Sequence, residues 1–267
     1  MDSHKAWLAG VFDRAAPTYD RVGEAYHSYF AERLVDLAAP AREARLLDVA
    51  CGRGAVLAAA ATRGVSSLMG IDVSPSMIDL AREDLRAAGV VDVDLRVMDA
   101  EDLDLDLADA GFDVVTAAFM LFFLPDPARA AAEFRRVLRP GGVLAVSTWG
   151  DEDERWSFEA DLLPASDAPR TRALQQPFSR PDEVTDLLSA AGFSDLLVHH
   201  EDTSIHFESK QQWWEWHWSF SVRGLLEQLA PVELDAYRDA CFREMEALAT
   251  PAGYPLRLNA LVVTGRR

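Results

Sequence analysis

A glycine-containing turn and a carboxylate are the first residues of the chain whose types and spacing indicate chemistry. The turn, residues 48–54, follows a short apolar run and contains Gly52 and Gly54 just before an alanine-rich segment. Glycine lets the backbone approach a ligand closely at a helix N-terminus, where free N–H groups favour an anionic group. Asp72, eighteen residues after Gly54 and at the end of the next apolar run, can accept hydrogen bonds from two ribose hydroxyls. Together they predict a site for an adenosine-containing cofactor.

The elements that must position these residues alternate between apolar runs and amphipathic segments from about residue 45 to residue 149. This alternation is typical of βαβ units around a parallel sheet. Ser74 before Pro75, and Gly89 beyond the last apolar position, mark the start and end of the helix after Asp72. The predicted strands are residues 46–49, 67–72, 93–97, 112–117, 143–148, 196–207 and 256–265. A helix is expected over residues 126–138 and another over residues 234–248.

Composition limits the fold and the kinds of partner. A chain of 267 residues, 49% of them hydrophobic, can bury a full-sized core, and we expect one domain, residues 1–267, with insertions. The net charge of -18 repels phosphate backbones and anionic lipid, which argues against nucleic-acid and membrane partners. The two cysteines have no disulfide or zinc-site spacing, and we expect no metal. Without a secretory signal or a membrane-length apolar stretch, a cytoplasmic location fits best.

Several short segments between Phe12 and Trp149 form a series. They are residues 12–20 (FDRAAPTYD), 48–54 (DVACGRG), 72 (D), 99–100 (DA), 112–115 (FDVV), 124–126 (LPD) and 136–142 (RVLRPGG). In this order and spacing they resemble class I S-adenosylmethionine-dependent methyltransferases. The chain is particularly similar to the enzymes of ubiquinone and menaquinone biosynthesis and to actinobacterial natural-product methyltransferases.

The resemblance implies an α/β fold that is doubly wound and Rossmann-like. Its mostly parallel sheet would have seven strands, an antiparallel last strand and helical lid insertions. S-adenosylmethionine would be the cofactor. Residues 1–40 would form an N-terminal helical lid, residues 41–150 the cofactor-binding core, and residues 208–255 a helical insertion over the acceptor site.

The same resemblance implies the cofactor contacts. Asp72 would hold the ribose, and Asp99 would meet the adenine amino group with Ala100 beside it. The full expected set is Tyr19, Asp48, Ala50, Gly52, Asp72, Val73, Met77, Asp99, Ala100 and Ala117.

The remaining implied roles concern the methionine end of the cofactor. Ala50 and Gly52 would line it, Ala117 would offer backbone to the sulfonium, and Tyr19 would close the site from the N-terminal helix. The family usually has glycine where this chain has Ala50, so the backbone there must accommodate a Cβ atom.

A glycine turn followed by a carboxylate at a strand end could instead bind a nicotinamide cofactor. Dinucleotide-binding turns need a third glycine, where this chain has Leu57. Cys51 lies in the turn as a possible nucleophile, but no base is evident for it, so we interpret it as a packing residue.

An aromatic segment indicates the acceptor side. Residues 213–220 (WWEWHWSF) hold four of the seven tryptophans, and although they alternate as in a strand, Ser209 as a cap favours a helix. The segment is either a lid with aromatic walls around an apolar substrate or core packing of the insertion. Phe122 and Phe123 stand where many relatives have a histidine pair, which argues for an apolar acceptor pocket.

Candidates for a general base are His217, within the aromatic segment, and Tyr19, with Glu215 as a rival. Methyl transfer from a sulfonium is an in-line displacement that depends mainly on orientation and desolvation, so no fixed catalytic set is required. Three more histidines lie on the strand predicted at residues 196–207, near the sheet edge, where exposed or structural roles dominate.

The sequence therefore predicts an O-methyltransferase that acts on a hydrophobic small molecule or natural-product intermediate. Methylation at carbon, nitrogen or a peptide carboxylate stays open, and with it a modified-peptide acceptor. A methyltransferase-like cyclase that holds the cofactor without methyl transfer, and a non-catalytic binding protein, are the alternatives from other classes. A monomer or a homodimer is expected.

Overall fold

One mixed sheet organises the computed structural model, which describes residues 3–104, 107, 109–164 and 177–267. Its strands are β1 (Arg45–Val49), β2 (Ser67–Asp72), β3 (Val93–Val97), β4 (Phe112–Ala118), β5 (Leu138–Trp149), β6 (Ser194–Phe207) and β7 (Tyr254–Arg266). They lie in the order β3-β2-β1-β4-β5-β7-β6. β7 is antiparallel to both of its neighbours, and the other neighbouring pairs are parallel. The predicted seven-stranded sheet with an antiparallel last strand is confirmed.

The helices surround the sheet, and three of them begin at a side-chain cap, from Ser74, Asp126 or Ser209. They are α1 (Ser3–Ala15), α2 (His27–Ala38), α3 (Ala55–Thr62), α4 (Pro75–Ala87), α5 (Pro127–Val137), α6 (Phe158–Leu162), α7 (Pro181–Ala190), α8 (Lys210–His217), α9 (Arg223–Leu226) and α10 (Pro231–Glu244). The Ser74 hydroxyl accepts the Met77 N–H at 3.1 Å, and the first residue of α4 is a proline, which has no N–H to satisfy. In the parts of the chain that the structure describes, no helix is long and apolar enough to cross a membrane.

Both faces of the sheet are covered, as its apolar parallel strands require. Leu47 packs on one face with Phe134 of α5 and with α7. Leu46, the preceding residue of β1, packs on the other face with Leu34 of α2 and Leu57 of α3. The strands therefore run between two helical layers, in the doubly wound arrangement.

Two elements differ from the sequence-based expectation. β5 begins at Leu138, earlier than the predicted residue 143, because Leu138 pairs with Phe112 directly after α5. The pairing resumes between Val143 and Val114, and residues 139–142 bulge out of the ladder. The helix expected over residues 234–248 begins at Pro231 and ends in a 3-10 turn from Met245 to Leu248.

The N-terminal helix contacts the insertion between β6 and β7. The Arg14 guanidinium donates to the Glu227 carboxylate, which follows α9, at 2.9 Å. A Cβ atom on Gly224 of α9 would lie 2.8 Å from the ring of Trp7 and 2.9 Å from Val11. The close approach of α1 and α9 therefore depends on the missing side chain at this glycine.

The outer edge of the sheet is β6, the strand for which an edge position was predicted. The Tyr29 hydroxyl of α2 donates to the Asp202 carbonyl at 3.0 Å. The His206 N–H donates to the Glu24 carboxylate at 3.2 Å. Side chains of the N-terminal segment thus satisfy backbone groups on the open side of this strand.

Candidate active site

The turn between β1 and α3 carries the glycine motif. Gly52 has a φ of 50°, and a Cβ atom there would meet Tyr19 Cε1 at 4.0 Å as its nearest neighbour. Ala50 also adopts a left-handed φ, 56°, which costs a residue with a Cβ atom about 1 kcal/mol. The chain therefore keeps the expected glycine-like conformation at Ala50 at the cost of local strain. The Gly52 N–H donates to Asp72 Oδ2 at 2.9 Å and fastens the turn to the end of β2.

The Asp72 carboxylate has room for further donors. Its Oδ2 accepts from Gly52, and its Oδ1 accepts the Ser74 N–H at 2.9 Å. Burial raises the pKa of Asp72 to about 6, against the effect of these backbone hydrogen bonds. A carboxylate has about four lone-pair positions, so two remain for hydroxyl donors on the cavity side.

Asp99 follows β3 and lies against α1. Its Oδ1 accepts the Glu101 N–H at 2.9 Å, and its Oδ2 lies 2.7 Å from the Lys5 Nζ atom. The same Nζ atom lies 2.6 Å from Glu101 Oε2. Burial opposes the charged ammonium, but the two carboxylates raise the pKa of Lys5 overall.

These residues surround a cavity of about 100 Å³ at the carboxyl ends of β1, β2 and β3, which we call the cofactor cavity. Eight of the ten expected cofactor residues line it: Tyr19, Ala50, Gly52, Asp72, Val73, Met77, Asp99 and Ala100. The structure thus brings together residues from four separate parts of the chain.

Asp48 and Cys51 are buried and are absent from the wall of the cofactor cavity. Asp48 Oδ1 accepts the Thr116 hydroxyl at 2.8 Å, and Oδ2 has no hydrogen-bond partner. Burial raises the pKa of Asp48 to about 7. Burial also raises the pKa of the Cys51 thiol, so the thiolate is disfavoured, in agreement with a packing role for this residue.

Ala117 lies one residue away from the cavity wall. It is fully buried in β4, paired with Val49 of β1 and Val146 of β5. Because side chains alternate along a strand, the next residue, Ala118, faces the cavity instead.

A second, larger cavity of about 310 Å³ adjoins the first, and we call it the acceptor cavity. Its wall contains many aromatic side chains, including Tyr26, Phe119, Phe122, Phe123, Trp149 and Trp216, together with charged side chains such as Asp153, Glu159 and Arg257. Five side chains line both cavities: Leu8, Phe12, Tyr19, Phe119 and Phe123. The two spaces therefore meet at a ring of apolar groups around Tyr19.

Residues 213–217 of the aromatic segment lie in α8, which is capped by Ser209; the Ser209 hydroxyl accepts the Gln212 N–H at 3.1 Å. The helix prediction is confirmed, and the four tryptophans have different environments. Trp213 is fully buried outside the acceptor cavity, and Trp216 lines it. Glu215, the rival base, is exposed on the opposite side of α8.

His217 lines the acceptor cavity but is held by internal partners. Its Nδ1 lies 3.0 Å from the Trp213 carbonyl oxygen, and its Nε2 lies 3.0 Å from Glu159 Oε2. The other oxygen of Glu159 accepts the Trp213 indole N–H at 2.9 Å. Both ring nitrogens of this candidate base are therefore engaged with acceptors inside the protein.

Tyr19 is part of a second polar group at the junction of the cavities. Its hydroxyl lies 2.9 Å from His27 Nε2, and His27 Nδ1 lies 3.2 Å from Asp20 Oδ1. His27 begins α2 and lines the acceptor cavity. Burial raises the pKa of Tyr19 well above its usual range, with smaller contributions from Asp20 and Asp72.

Sequence analysis did not identify several residues of this site, among them Lys5, His27, Phe119 and Glu159. Tyr19 and Asp20 lie in the segment of residues 12–20 that carries the family resemblance. A histidine eight residues after Tyr19 could have indicated this polar group. No local pattern links Glu159 to His217, or Lys5 to Asp99.

The cofactor cavity fits an adenosine-containing molecule. The two lone-pair positions of Asp72 match two neighbouring ribose hydroxyls, and Asp99 offers a carboxylate to an amino group. Met77, Met98 and Leu124 add apolar surface for a flat ring. Among the described residues, no three His, Cys, Asp or Glu side chains converge as metal ligands.

Comparison with known proteins identifies the family. A family described as a methyltransferase domain matches residues 47–146. Nocamycin O-methyltransferase from Saccharothrix syringae is 34% identical over 275 residues, which cover 96% of this chain and 97% of that enzyme. The chain belongs to the S-adenosylmethionine-dependent methyltransferases. The cofactor of this methyltransferase is S-adenosylmethionine, in agreement with the fit of the cofactor cavity.

Two further similarities concern the methyltransferase core and its fold. Aklanonic acid methyltransferase DauC from Streptomyces sp. (strain C5) is 36% identical over 148 residues, 55% of this chain and 66% of that enzyme. The solved structure of the cyclase SpnF has a TM-score of 0.60 and 24% identity, covering 93% of this chain and 84% of that one. At that identity the second similarity establishes the fold alone.

Proposed function

We propose that this methyltransferase methylates an oxygen atom of a hydrophobic small molecule, such as a natural-product intermediate. The observation that carries the proposal is the aromatic acceptor cavity, which meets the cofactor cavity at Tyr19. Its size and its many aromatic side chains suit a ring system. The names of nocamycin O-methyltransferase and aklanonic acid methyltransferase support the same class of acceptor.

The cofactor contacts follow from the positions of the lining residues. Asp72 accepts the ribose hydroxyls, and Asp99 accepts the adenine amino group with Ala100 beside it. Ala50 and Gly52 lie along the methionine moiety. In the same cavity, Val73, Met77 and Tyr19 complete the wall, and Ala118 takes the place expected of Ala117.

S-adenosylmethionine carries its methyl group on a positively charged sulfur. The sulfur is the leaving group, and it needs no further activation. The protein therefore contributes orientation and desolvation. Phe12, Tyr19 and Phe119 line both cavities, and their rings stabilise a cation while they exclude water. Phe122 and Phe123 add apolar surface beside the acceptor, whereas polar groups such as His27, Glu159 and Arg257 line other parts of the same cavity.

α1 and the insertion act together as a cover for both cavities. α1 lines the cofactor cavity with Lys5 and Leu8, and α8 lines the acceptor cavity with Trp216. Arg14 and Glu227 join the two parts. A displacement that must exclude water benefits from such a joint cover.

Calorimetry tests the cofactor assignment. We expect S-adenosylmethionine and S-adenosylhomocysteine to bind the purified protein, and Asp72→Ala to weaken both by about 1–3 kcal/mol through lost hydrogen bonds. Asp79→Ala is the matched control, because Asp79 lies on the exposed surface of α4 with its side chain 74% exposed. Unchanged affinity in Asp72→Ala would disprove the ribose assignment.

Turnover tests the reaction. Aklanonic acid, naphthol and naphthoic acid are incubated with the protein and S-adenosylmethionine, and products are measured by mass spectrometry. The expected result is a methyl ether or ester formed in equal amount with S-adenosylhomocysteine. An isomerised acceptor without S-adenosylhomocysteine would instead indicate a cyclase, and a methylated carbon or nitrogen would correct the atom assigned.

A further inference from the structure

Two histidines border the acceptor cavity, and the atoms around them give them different chemistry. The neighbours of His217 are a backbone carbonyl at Nδ1 and the Glu159 carboxylate at Nε2. A carbonyl oxygen only accepts hydrogen bonds, and an ionised carboxylate does the same. Both ring nitrogens of His217 therefore face acceptors inside the protein, and neither is left for a substrate.

His27 differs because its two neighbours are unlike. The Asp20 carboxylate at Nδ1 only accepts, so Nδ1 carries the hydrogen. The same Asp20 Oδ1 atom accepts the Tyr26 N–H at 3.2 Å, which keeps the carboxylate in place. The lone pair of the neutral ring is then on Nε2, which lies 2.9 Å from the Tyr19 hydroxyl.

The His27 ring is also fixed in orientation. The Tyr26 ring stacks on it with a centroid distance of 4.2 Å, and the Tyr19 ring lies on it at 4.8 Å. Its side chain is 14% exposed, so water competes little for Nε2. A base that acts during a displacement needs this kind of fixed position.

Tyr19 connects His27 to both cavities. Its side chain lines the cofactor cavity and the acceptor cavity, so Tyr19 lies where the two cavities meet and where the methyl group must pass. Because its pKa is raised by burial, Tyr19 stays a phenol at neutral pH and donates its hydrogen to His27. The phenol is a relay for a proton and is unsuited to be the final base.

We propose that His27 is the general base of the reaction, that Tyr19 relays the proton to it, and that Asp20 is a positioning residue for the imidazole. The proposal rests on the proposed function, methyl transfer to a hydroxyl or carboxyl oxygen. The acceptor oxygen forms its bond to the methyl carbon as its O–H bond breaks. That proton passes to Tyr19 Oη while the Tyr19 hydrogen passes to His27 Nε2, and the electron pair of the carbon–sulfur bond stays on sulfur. An imidazolium paired with Asp20 and a neutral thioether result.

Two phenolic acceptors distinguish a general base from a residue that has only a structural role. Naphthol is protonated at neutral pH and needs a base, whereas para-nitrophenol is largely ionised at mildly alkaline pH and does not. In His27→Asn we expect turnover of naphthol to fall by roughly 10²- to 10⁴-fold, while turnover of para-nitrophenol stays nearly unchanged. Asp20→Asn should reduce naphthol turnover selectively and to a smaller extent.

The matched control is His200→Asn, since His200 is exposed on β6 and outside both cavities. It should leave both rates unchanged. Calorimetry of His27→Asn with S-adenosylhomocysteine should give wild-type affinity, which separates loss of the base from loss of the cofactor site. Equal losses for both phenols would overturn the proposal.

If the wild-type protein methylates neither phenol, a measurement that needs no acceptor tests the role of His27. ¹⁵N NMR of histidine-labelled protein reports which ring nitrogen carries hydrogen. The expected result for His27 at neutral pH is a protonated Nδ1 and an unprotonated Nε2, with a shift toward the other tautomer in Asp20→Asn. A hydrogen on Nε2 of wild-type His27 would overturn the assignment.

Discussion

The Nζ atom of Lys5 on α1 lies 2.7 Å from Oδ2 of Asp99, which follows β3. The side chains are 12% and 25% exposed, so solvent screens this pair less than a fully exposed one. Lys5 lies near one end of α1 and Arg14, which pairs with Glu227, near the other. The helix is therefore attached to the cofactor cavity at one end and to the insertion at the other.

Lys5→Met should loosen α1. The variant loses a charge-assisted contact to Asp99, so we expect faster hydrogen exchange in residues 6–15 and affinity for S-adenosylhomocysteine reduced roughly tenfold, for a loss of about 1.5 kcal/mol. In the wild-type protein, S-adenosylhomocysteine should slow exchange in the same residues. Exchange mass spectrometry and calorimetry measure these effects.

The matched control for this change is the chain's other lysine. Lys210 pairs with Glu246 and lies outside both cavities, so Lys210→Met should leave exchange in α1 and the affinity as in wild type. Equal exchange in α1 with and without ligand would contradict a covering role for this helix.

Trp213 and Trp216 should respond differently to truncation, although both belong to α8. Trp213 is 0% exposed and donates to Glu159, so Trp213→Ala should reduce the free energy of unfolding by about 3–5 kcal/mol. Trp216 borders the acceptor cavity, so Trp216→Ala should mainly lower kcat/KM for the acceptor. Thermal unfolding and turnover measurements distinguish the two variants. Trp218→Ala is the reference variant, because Trp218 is half-exposed. Parallel losses of stability and turnover in both variants would make α8 core packing only.

Asp48→Asn should change how stability depends on pH. In wild type, burial raises the pKa of Asp48 from 3.8 to about 7. Below pH 3.8, Asp48 is protonated in both the folded and the unfolded protein, so its burial carries no ionisation penalty. Between those values the unfolded state ionises and the folded state does not, so stability falls as pH rises, by roughly 4 kcal/mol in total. Asn keeps the acceptor for Thr116 without titrating.

The difference in unfolding free energy between Asp48→Asn and wild type is therefore expected to grow from about pH 4 to about pH 7 and then stay constant. Urea unfolding across this range measures it, and because both proteins share every other titrating group, the difference isolates Asp48. A difference that does not vary with pH would show that Asp48 ionises in the folded state as freely as in the unfolded one.

The cofactor side of the site could be predicted because its residues follow strand ends. Parallel strands bring their carboxyl ends to one edge of a sheet, so Asp72 at the end of β2 and Asp99 after β3 lie at the same edge. Asp48 and Ala117, the two expected residues outside the cavity wall, lie within β1 and β4. Within a strand a change of one residue decides between the cavity and the core, and a sequence pattern does not resolve that choice.

The acceptor side was harder to predict because its contacts join distant parts of the chain. His217 has the residue type of a base, but its partner Glu159 lies 58 residues away on the short helix α6. His27 is close to Asp20 in sequence, yet they meet only because Asp20 adopts a left-handed φ of 54° before α2 begins. Residue types alone did not reveal the partners of His217, and they overlooked His27.

The side chains of Tyr29 and Glu24 on the outside of β6 have a consequence for association between molecules. An exposed strand edge is a template on which a second chain can add a strand, and β6 is a long one, from Ser194 to Phe207. Asp202 and His206 direct their backbone groups to that open side, where Tyr29 and Glu24 already occupy them. The segment of residues 24–29, which lines the acceptor cavity with Tyr26 and His27, therefore also protects this strand edge from pairing with another chain.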